Sequence, residues 1–479
     1  MTATWAGTQR PALRNDRNPR ARLMTLTRPS PRVAVVGATP VRGSLLRPGW
    51  PLTAMLVLYP LWWALGLGTL IVFGLTVPMT IYLLRNRPIR VPRGFGLWLL
   101  FLLWVAVSIT MIGRNPPQAL PGTASDRLIS VAFEVAGYIA LTVFLLYAGN
   151  LRERDYPRAR MVGQLGFLFM VTVAGGLIGT FIGDLEFTSP VELLLPAEFR
   201  ADGFVRSVVH PSTAQLQRVL GYEAPRPAAP FGYTNTWGFC LSVLLGWFVV
   251  SWFVRTGRAR KIVGSVILLL AAIPAVYSLN RGLWIGLGLT AAYFALRLAA
   301  QGKFLAVSAL AVTVVLGFVV FVASPLKDVV AQRLDSPHSN LTRAYTAENT
   351  WQAALTSPII GYGGTRQARG GSQSIAIGQT PECELCGNPT LGGNGQFWQV
   401  LLAQGLVGAA LHVGFFLRTA WCYRHDRTPI GLAGMLGCLL PLLYMFFYNA
   451  LVVPLLLVFL SIALLWRNDT ELRLAELAA

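Results

Sequence analysis

The sequence predicts an all-α polytopic membrane protein with about 12 transmembrane helices and two long extracytoplasmic loops. Three observations carry that reading. Of 479 residues, 54% are hydrophobic and only 13% charged, with a mean hydropathy of +0.55, whereas soluble chains carry about a quarter charged residues. The apolar residues gather in runs of about 17–24, the length that crosses roughly 30 Å of hydrocarbon as a helix. The basic residues, which give a net charge of +20, form short clusters between those runs. Scattered this way they report topology and exclude a nucleic-acid-binding patch.

Residues 1–48 are rich in Arg, Pro, Thr and Ser without a sustained apolar period, and read as a disordered cytoplasmic arm. No apolar stretch with a small-residue cleavage site follows the first basic residues, so no signal peptide is expected there. Apolar runs then fall near 51–67, 68–84, 95–112, 128–148, 161–183, 236–254, 262–279, 282–299, 304–324, 397–420, 430–448 and 451–466. Only Gly66 to Gly68 separates the first two, which leaves a hairpin that re-enters the same face as an alternative to two spans. Walking from a cytoplasmic N-terminus, Arg85 to Arg93, Arg152 to Arg160, Arg255 to Lys261, Arg297 to Lys303 and Arg418 to Arg427 all land inside. The segments 184–235 and 325–396 land outside, and 467–479 forms a cytoplasmic tail. The membrane domain is thus 49–466, and high Arg over Lys usage suggests a bacterial plasma membrane.

The two outer segments are longer than helix hairpins need, so function is sought there. Leu193 to Phe199 and Ser212 to Leu220 are expected as short helices, and Asn340 to Leu355 as a longer one stopped by Pro358. The corner Ser278-Leu279-Asn280-Arg281-Gly282 lies between two apolar runs. Arg281 either ends a helix as a snorkelling arginine or receives an anionic head group with its bidentate fork. Arg343 heads the Asn340 to Leu355 helix, a place unfavourable for a cation without a partner. Asn235 opens one spanning run beside Phe231 and Tyr233, and Trp351, Asn394 and Gln396 add aromatic and amide groups near the outer interface. These suit a glycan-lined cavity, although helix packing and an aromatic belt use the same residue types. Glu134, inside a span, is expected to line a cavity or meet an arginine.

The Ser-x-x-Arg-Gly corner at 278–282, the arginine-headed helix ending Pro358-Ile-Ile-Gly-Tyr-Gly363, and the segment running through Gln404-Gly405-Leu-Val-Gly408 together resemble the O-antigen ligase and polymerase superfamily of bacterial envelope proteins. The Phe231 to Asn235 segment resembles an earlier helix start of that family. The resemblance covers about 225–415. It implies a metal-independent glycosyltransferase without a cofactor, working at the outer face. An oligosaccharide or polysaccharide would pass from a polyprenyl diphosphate carrier to a glycan or lipid-linked acceptor. The family's diphosphate-binding arginines map onto Arg281 and Arg343.

The family's general-base histidine normally opens the segment that returns to the membrane, where this chain has Gly393-Asn394-Gly395. Asn has no useful basicity near neutral pH. Substitutes on the outer side are Glu348 and His338, nearest Arg343 in sequence, and then His210, Glu382 and Glu384. Cys383 and Cys386 have redox-motif spacing and make half of a zinc site at most, so a short disulfide is expected and metal is not. Beside the transferase, two other classes stay open: a transporter or flippase for lipid-linked glycans, and a non-catalytic envelope-assembly protein.

Overall fold

The computed structural model describes residues 47–183, 185–201, 203–217, 224–323, 326–335, 338–368 and 390–478. The expected arm at 1–48 therefore lies almost wholly outside the described residues, as do Glu382, Cys383, Glu384 and Cys386. The remainder is a helical membrane protein: seven helices are long and apolar enough to cross a bilayer.

The chain opens with α1 (Trp50–Val57) and α2 (Tyr59–Ala64), broken at Leu58 ahead of Pro60, then turns at Gly66 into α3 (Leu70–Arg85). At about 1.5 Å per residue none of these three reaches the roughly 30 Å of a bilayer core. The helices α4 (Phe95–Ser108), α5 (Leu128–Asn150) and α6 (Arg158–Phe181) follow. The first segment expected outside, 184–235, holds α7 (Pro190–Leu194), α8 (Ala197–Ala201) and α9 (Gly203–Val209), and an antiparallel pair of β1 (Ala214–Gln217) and β2 (Ala224–Pro227). The strand at 214–217 replaces the helix expected over Ser212 to Leu220. Its partner, Ala-Pro-Arg-Pro, cannot be helical with two prolines, and an extended partner draws β1 into a ladder with Gln215 opposite Arg226.

Four helices of near-equal length come next, α10 (Thr234–Phe253), α11 (Arg258–Tyr277), α12 (Arg281–Ala299) and α13 (Phe304–Ala323). The second outer segment starts with α14 (Leu326–Asp335) and α15 (His338–Leu355), the latter close to its expected bounds. A short pairing of β3 (Arg366–Gln367) with β4 (Thr390–Leu391) precedes α16 (Gln396–Tyr423), α17 (Pro429–Tyr444) and α18 (Val453–Ala478). Every apolar run of the sequence thus carries helix, and α18 continues unbroken through the residues expected as a separate tail.

The centre of the bundle is α18, whose apolar window is 89% buried, against 22% for α11 and α12, which leave their apolar faces outward. On α18 the Phe459 ring packs against Trp98 and Phe415, with ring centres 4.8 Å and 5.7 Å away. Polar groups inside are matched in pairs, as in Ser242 with Tyr444 at 2.7 Å and the Trp247 indole on Ser461 at 2.9 Å. At one end the basic loops meet: Arg467 pairs with Glu153 at 2.7 Å, Arg93 with Asp469 at 3.7 Å, and Arg297 donates to the Asp426 carbonyl at 2.8 Å. The opposite end carries the described parts of the segments 184–235 and 325–396, which the sequence reading expects outside.

Candidate functional site

The corner between α11 and α12 is built by its own polar residues. Ser278 donates back to the Ala275 carbonyl at 2.7 Å, and Leu279 takes a left-handed backbone at φ 53 that reverses the chain. Asn280 then caps α12, its side-chain oxygen accepting the Leu283 N–H at 3.4 Å. That oxygen also accepts the Tyr448 hydroxyl, and the Asn280 amide donates to Asn235 at 3.2 Å. One asparagine thereby joins the starts of α10 and α12 to the loop between α17 and α18. Gly282 lets this happen, since a Cβ there would stand 2.4 Å from the Tyr448 oxygen.

Three arginines gather on this frame. Arg281 is the first residue of α12, placing its charge at the positive end of the helix dipole. Arg226 is buried on β2, and its Nε donates to the Ser278 carbonyl at 2.7 Å. Burial pushes the Arg343 guanidinium below its ordinary value; the nearby Tyr448 phenol opposes that shift and the charge of Arg281 reinforces it. Tyr448 lies within electrostatic reach of both Arg343 and Arg226. Three guanidinium groups held close together in a half-desolvated place make that place favourable for negative charge.

The segment returning to the membrane docks on the same loop. Asn449 clamps it twice, accepting the Gly395 N–H at 3.0 Å and donating to the Gly393 carbonyl at 2.6 Å, with Asn394 between the two glycines. Gln396 is fully engaged: its amide donates to Tyr138 at 3.0 Å and accepts the Ala450 N–H at 3.1 Å, and its backbone N–H donates to the Tyr448 carbonyl. It ties α16 to its neighbours. Deeper in the bundle Glu134 is surrounded by Gln399, Gln404 and Tyr138, amides and a phenol rather than the arginine weighed for it.

Not every expected residue joins the cluster. Glu348 and Trp351 lie on the exposed face of α15, where Glu348 accepts from Gln352 at 2.7 Å. The buried face of that helix, with Thr346, Thr350 and Ala353, turns toward β4 and α16. His338 is the first residue of α15, and its side chain is outside the described residues. His210 lies in the first outer segment, hydrogen-bonded to Glu192 at 2.8 Å. Among the described residues no group of three or more His, Cys, Asp or Glu is arranged to hold a metal.

Two members of the cluster, Arg226 and Tyr448, are not singled out by sequence reasoning. The only trace of Arg226 is its position between prolines near an expected helix start, and Tyr448 meets Asn280 across 168 positions. A further arginine, Arg366, is structural. It is 3% exposed and donates to the carbonyls of Tyr362, Thr365 and Ile112 at 2.6, 2.9 and 3.0 Å. Burial, helped by the neighbouring Arg127 and opposed by Tyr362, lowers its pKa to about 10. Compared with family models, curated proteins and solved structures, the chain finds no match in any of the three.

Proposed function

We propose that this chain is a member of the O-antigen ligase and polymerase superfamily. On this reading it transfers an oligosaccharide or polysaccharide from a polyprenyl diphosphate carrier to a glycan or lipid-linked acceptor at the outer face of a bacterial plasma membrane. The observation that carries the proposal is the convergence of Arg226, Arg281 and Arg343 about Asn280 and Tyr448, at the end of the bundle opposite the basic loops. In this reading the chain crosses the membrane about twelve times, α1 with α2 forming the first, broken crossing, and both termini are cytoplasmic.

The chemistry asked of the cluster is modest. A diphosphate leaving group gains negative charge as its bond to the anomeric carbon breaks, and fixed guanidinium groups stabilise that developing charge without reorganising. Arg is suited to this because its planar fork meets two phosphate oxygens at once. Asn235, Asn280 and Tyr448 hold the cluster in place, and no cofactor enters the scheme.

The test is transfer by the purified protein in lipid nanodiscs, given a pool of polyprenyl diphosphate-linked glycans, an acceptor pool and a chelator. Product from the native protein, absent from Arg281→Ala and Arg343→Ala at equal protein level, supports the transferase. A second reading, movement of lipid-linked glycan across the bilayer, is favoured by one observation. The α16 helix is broken at Gly405 (φ 68, ψ −170), and broken helices are a feature of transporters. Lipid-linked glycan crossing the bilayer of proteoliposomes without any product would select it.

A further inference from the structure

The transferase reading leaves the proton of the acceptor hydroxyl without a destination, because Asn394 stands where the resemblance would place a base. The first outer segment holds a cleft of about 620 Å³ whose wall includes Glu186, Arg206, Ser207, His210, Gln215 and Tyr233. That volume falls within the range of small-molecule sites, about 300–1,000 Å³. Tyr233 is 45% exposed. An open aromatic face beside amide, hydroxyl and charged groups suits a sugar, whose C–H face is apolar and whose edges are hydroxyls.

His210 is held in this wall by a chain of contacts. Its Nδ1 lies 2.8 Å from Glu192 Oε2. Glu192 is buried and fixed by a reciprocal cap: its N–H donates to Ser189 Oγ at 3.1 Å, and its carboxylate accepts the Ser189 N–H at 3.4 Å. Ser189 Oγ in turn donates to the Val209 carbonyl at 2.6 Å, next to His210 itself. A carboxylate on Nδ1 selects the tautomer that leaves the Nε2 lone pair for a proton. Nε2 makes no hydrogen bond among the described residues. Its nearest charged neighbour is Glu186 Oε2 at 3.6 Å, on a side chain 59% exposed that an arriving hydroxyl can displace.

The cleft and the arginine cluster share a wall. Gln215, which lines the cleft, faces Arg226 across the β1–β2 ladder, and its side chain accepts the Thr234 N–H at 2.9 Å. Thr234 Oγ1 then donates to the Arg226 carbonyl at 3.2 Å. The other histidines with described side chains are elsewhere: His412 is packed among Trp98, Phe101 and Phe416, and His425 follows Arg424 at the end of the basic loops.

We propose that the cleft is the acceptor-sugar subsite and that His210, oriented by Glu192, is the catalytic base of the transfer; this rests on the transferase reading above. The acceptor hydroxyl oxygen forms a bond to the anomeric carbon of the donor sugar. The bond from that carbon to the diphosphate oxygen breaks, its electron pair staying on the polyprenyl diphosphate against the arginines. The hydroxyl proton passes to His210 Nε2 and from there to water.

The experiment uses the nanodisc assay with the polyprenyl diphosphate-linked glycan and acceptor pools. It compares native protein with His210→Gln, His210→Ala, Glu192→Gln and Arg343→Ala. His210→Gln is expected to lose transfer about 100-fold or more while still binding donor, and imidazole is expected to restore part of the rate of His210→Ala. Glu192→Gln, which removes the carboxylate that orients Nδ1, is expected to lower kcat at an unchanged KM for the acceptor. Transfer by His210→Gln within threefold of native, with Arg343→Ala inactive, overturns the proposal and leaves the transferase reading standing. Should His210→Gln melt early, Glu192→Gln decides: a kcat within threefold of native overturns the proposal. No product from native protein removes both.

Discussion

Gly361 and Gly405 press their backbones together between the second outer segment and α16: a Cβ on Gly361 would lie 2.5 Å from the Gly405 nitrogen, and one on Gly405 would lie 2.5 Å from the Ile359 carbonyl oxygen. Around this contact the Pro358–Gly363 stretch supplies what the broken helix lacks. Tyr362 and Gly363 donate to the Leu402 and Ala403 carbonyls at 2.9 and 2.7 Å, and Leu406 donates to the Pro358 carbonyl at 2.7 Å. Trp104 closes the joint, its indole donating to the Ile359 and Gln404 carbonyls at 3.1 and 3.0 Å. Two stretches singled out separately in the sequence are one piece of structure.

Gly405→Ala and Gly361→Ala should therefore destabilise the fold. At φ 68, ψ −170 the Gly405 backbone is in a region open almost solely to glycine, worth about 1–3 kcal/mol in strain for any other residue, before the clash is counted. A fall in the melting temperature of the detergent-purified protein checks this. An unchanged melt would mean that the two backbones are not in contact.

Substitution at the arginines should separate charge from fork geometry. Arg226→Ala, Arg281→Ala and Arg343→Ala are each expected to reduce transfer by about 10²–10³, the loss typical of removing one preorganised electrostatic group. Lys at 281 or 343 should recover only part, because an ammonium cannot bind two phosphate oxygens in one plane. Full activity of Arg343→Lys would show that net charge alone matters.

An anion that binds the arginines of the folded protein should stabilise it. Pyrophosphate at 100 times its dissociation constant adds about 2.7 kcal/mol by mass action, read as a rise in melting temperature. The rise should shrink in Arg343→Ala and in high salt. An equal rise in the variant would place the anion elsewhere.

The sidedness of the bundle is open to labelling. Single cysteines replacing Arg154 and Glu198, in a background with Cys240, Cys383, Cys386, Cys422 and Cys438 removed, should react from opposite faces of intact cells. The membrane-impermeant reagent is expected to reach position 198 and not 154. Labelling of both would contradict the orientation in which the arginine cluster faces outward.

Arg366→Met should damage folding rather than chemistry. The Tyr362 and Thr365 carbonyls lose their donor together, while Ile112 keeps that of Arg127, and buried acceptors left unpaired cost about 1–3 kcal/mol each. Reduced yield and an early melt are the expected result, with surviving protein still able to bind donor.

The helices were legible because lipid imposes a length and a polarity that composition displays directly, as in the runs that became α5, α6 and α10. Arg281 was legible because Asn280 and Gly282 beside it mark a cap between two apolar runs. Arg226 and Tyr448 were not, since each enters the cluster through a distant partner, Ser278 and Asn280, and no local period reports such pairing. The strand at 214–217 was missed for the same reason: its conformation is decided by the proline-bearing strand opposite it. Gln396 was legible as a polar residue entering the membrane, but its hydrogen-bond partners on α5 and at Ala450 are set by packing.

The β1–β2 pair makes the two halves of the outer face mechanically one. Arg226 is buried with its head on Ser278, and Gln215 sits opposite it on a ladder that cannot slide without turning both side chains over. If the arginines take a diphosphate and the cleft a sugar, as proposed above, a displacement of Arg226 by the arriving anion would pass to the cleft wall, and a sugar seated against Gln215 would press back on Arg226. Binding energies linked in this way are reciprocal, so occupancy of one side sets the affinity of the other. On the transferase reading the kinetics would then follow an obligatory order of addition, in which the second molecule meets its seat only after the first has shaped it.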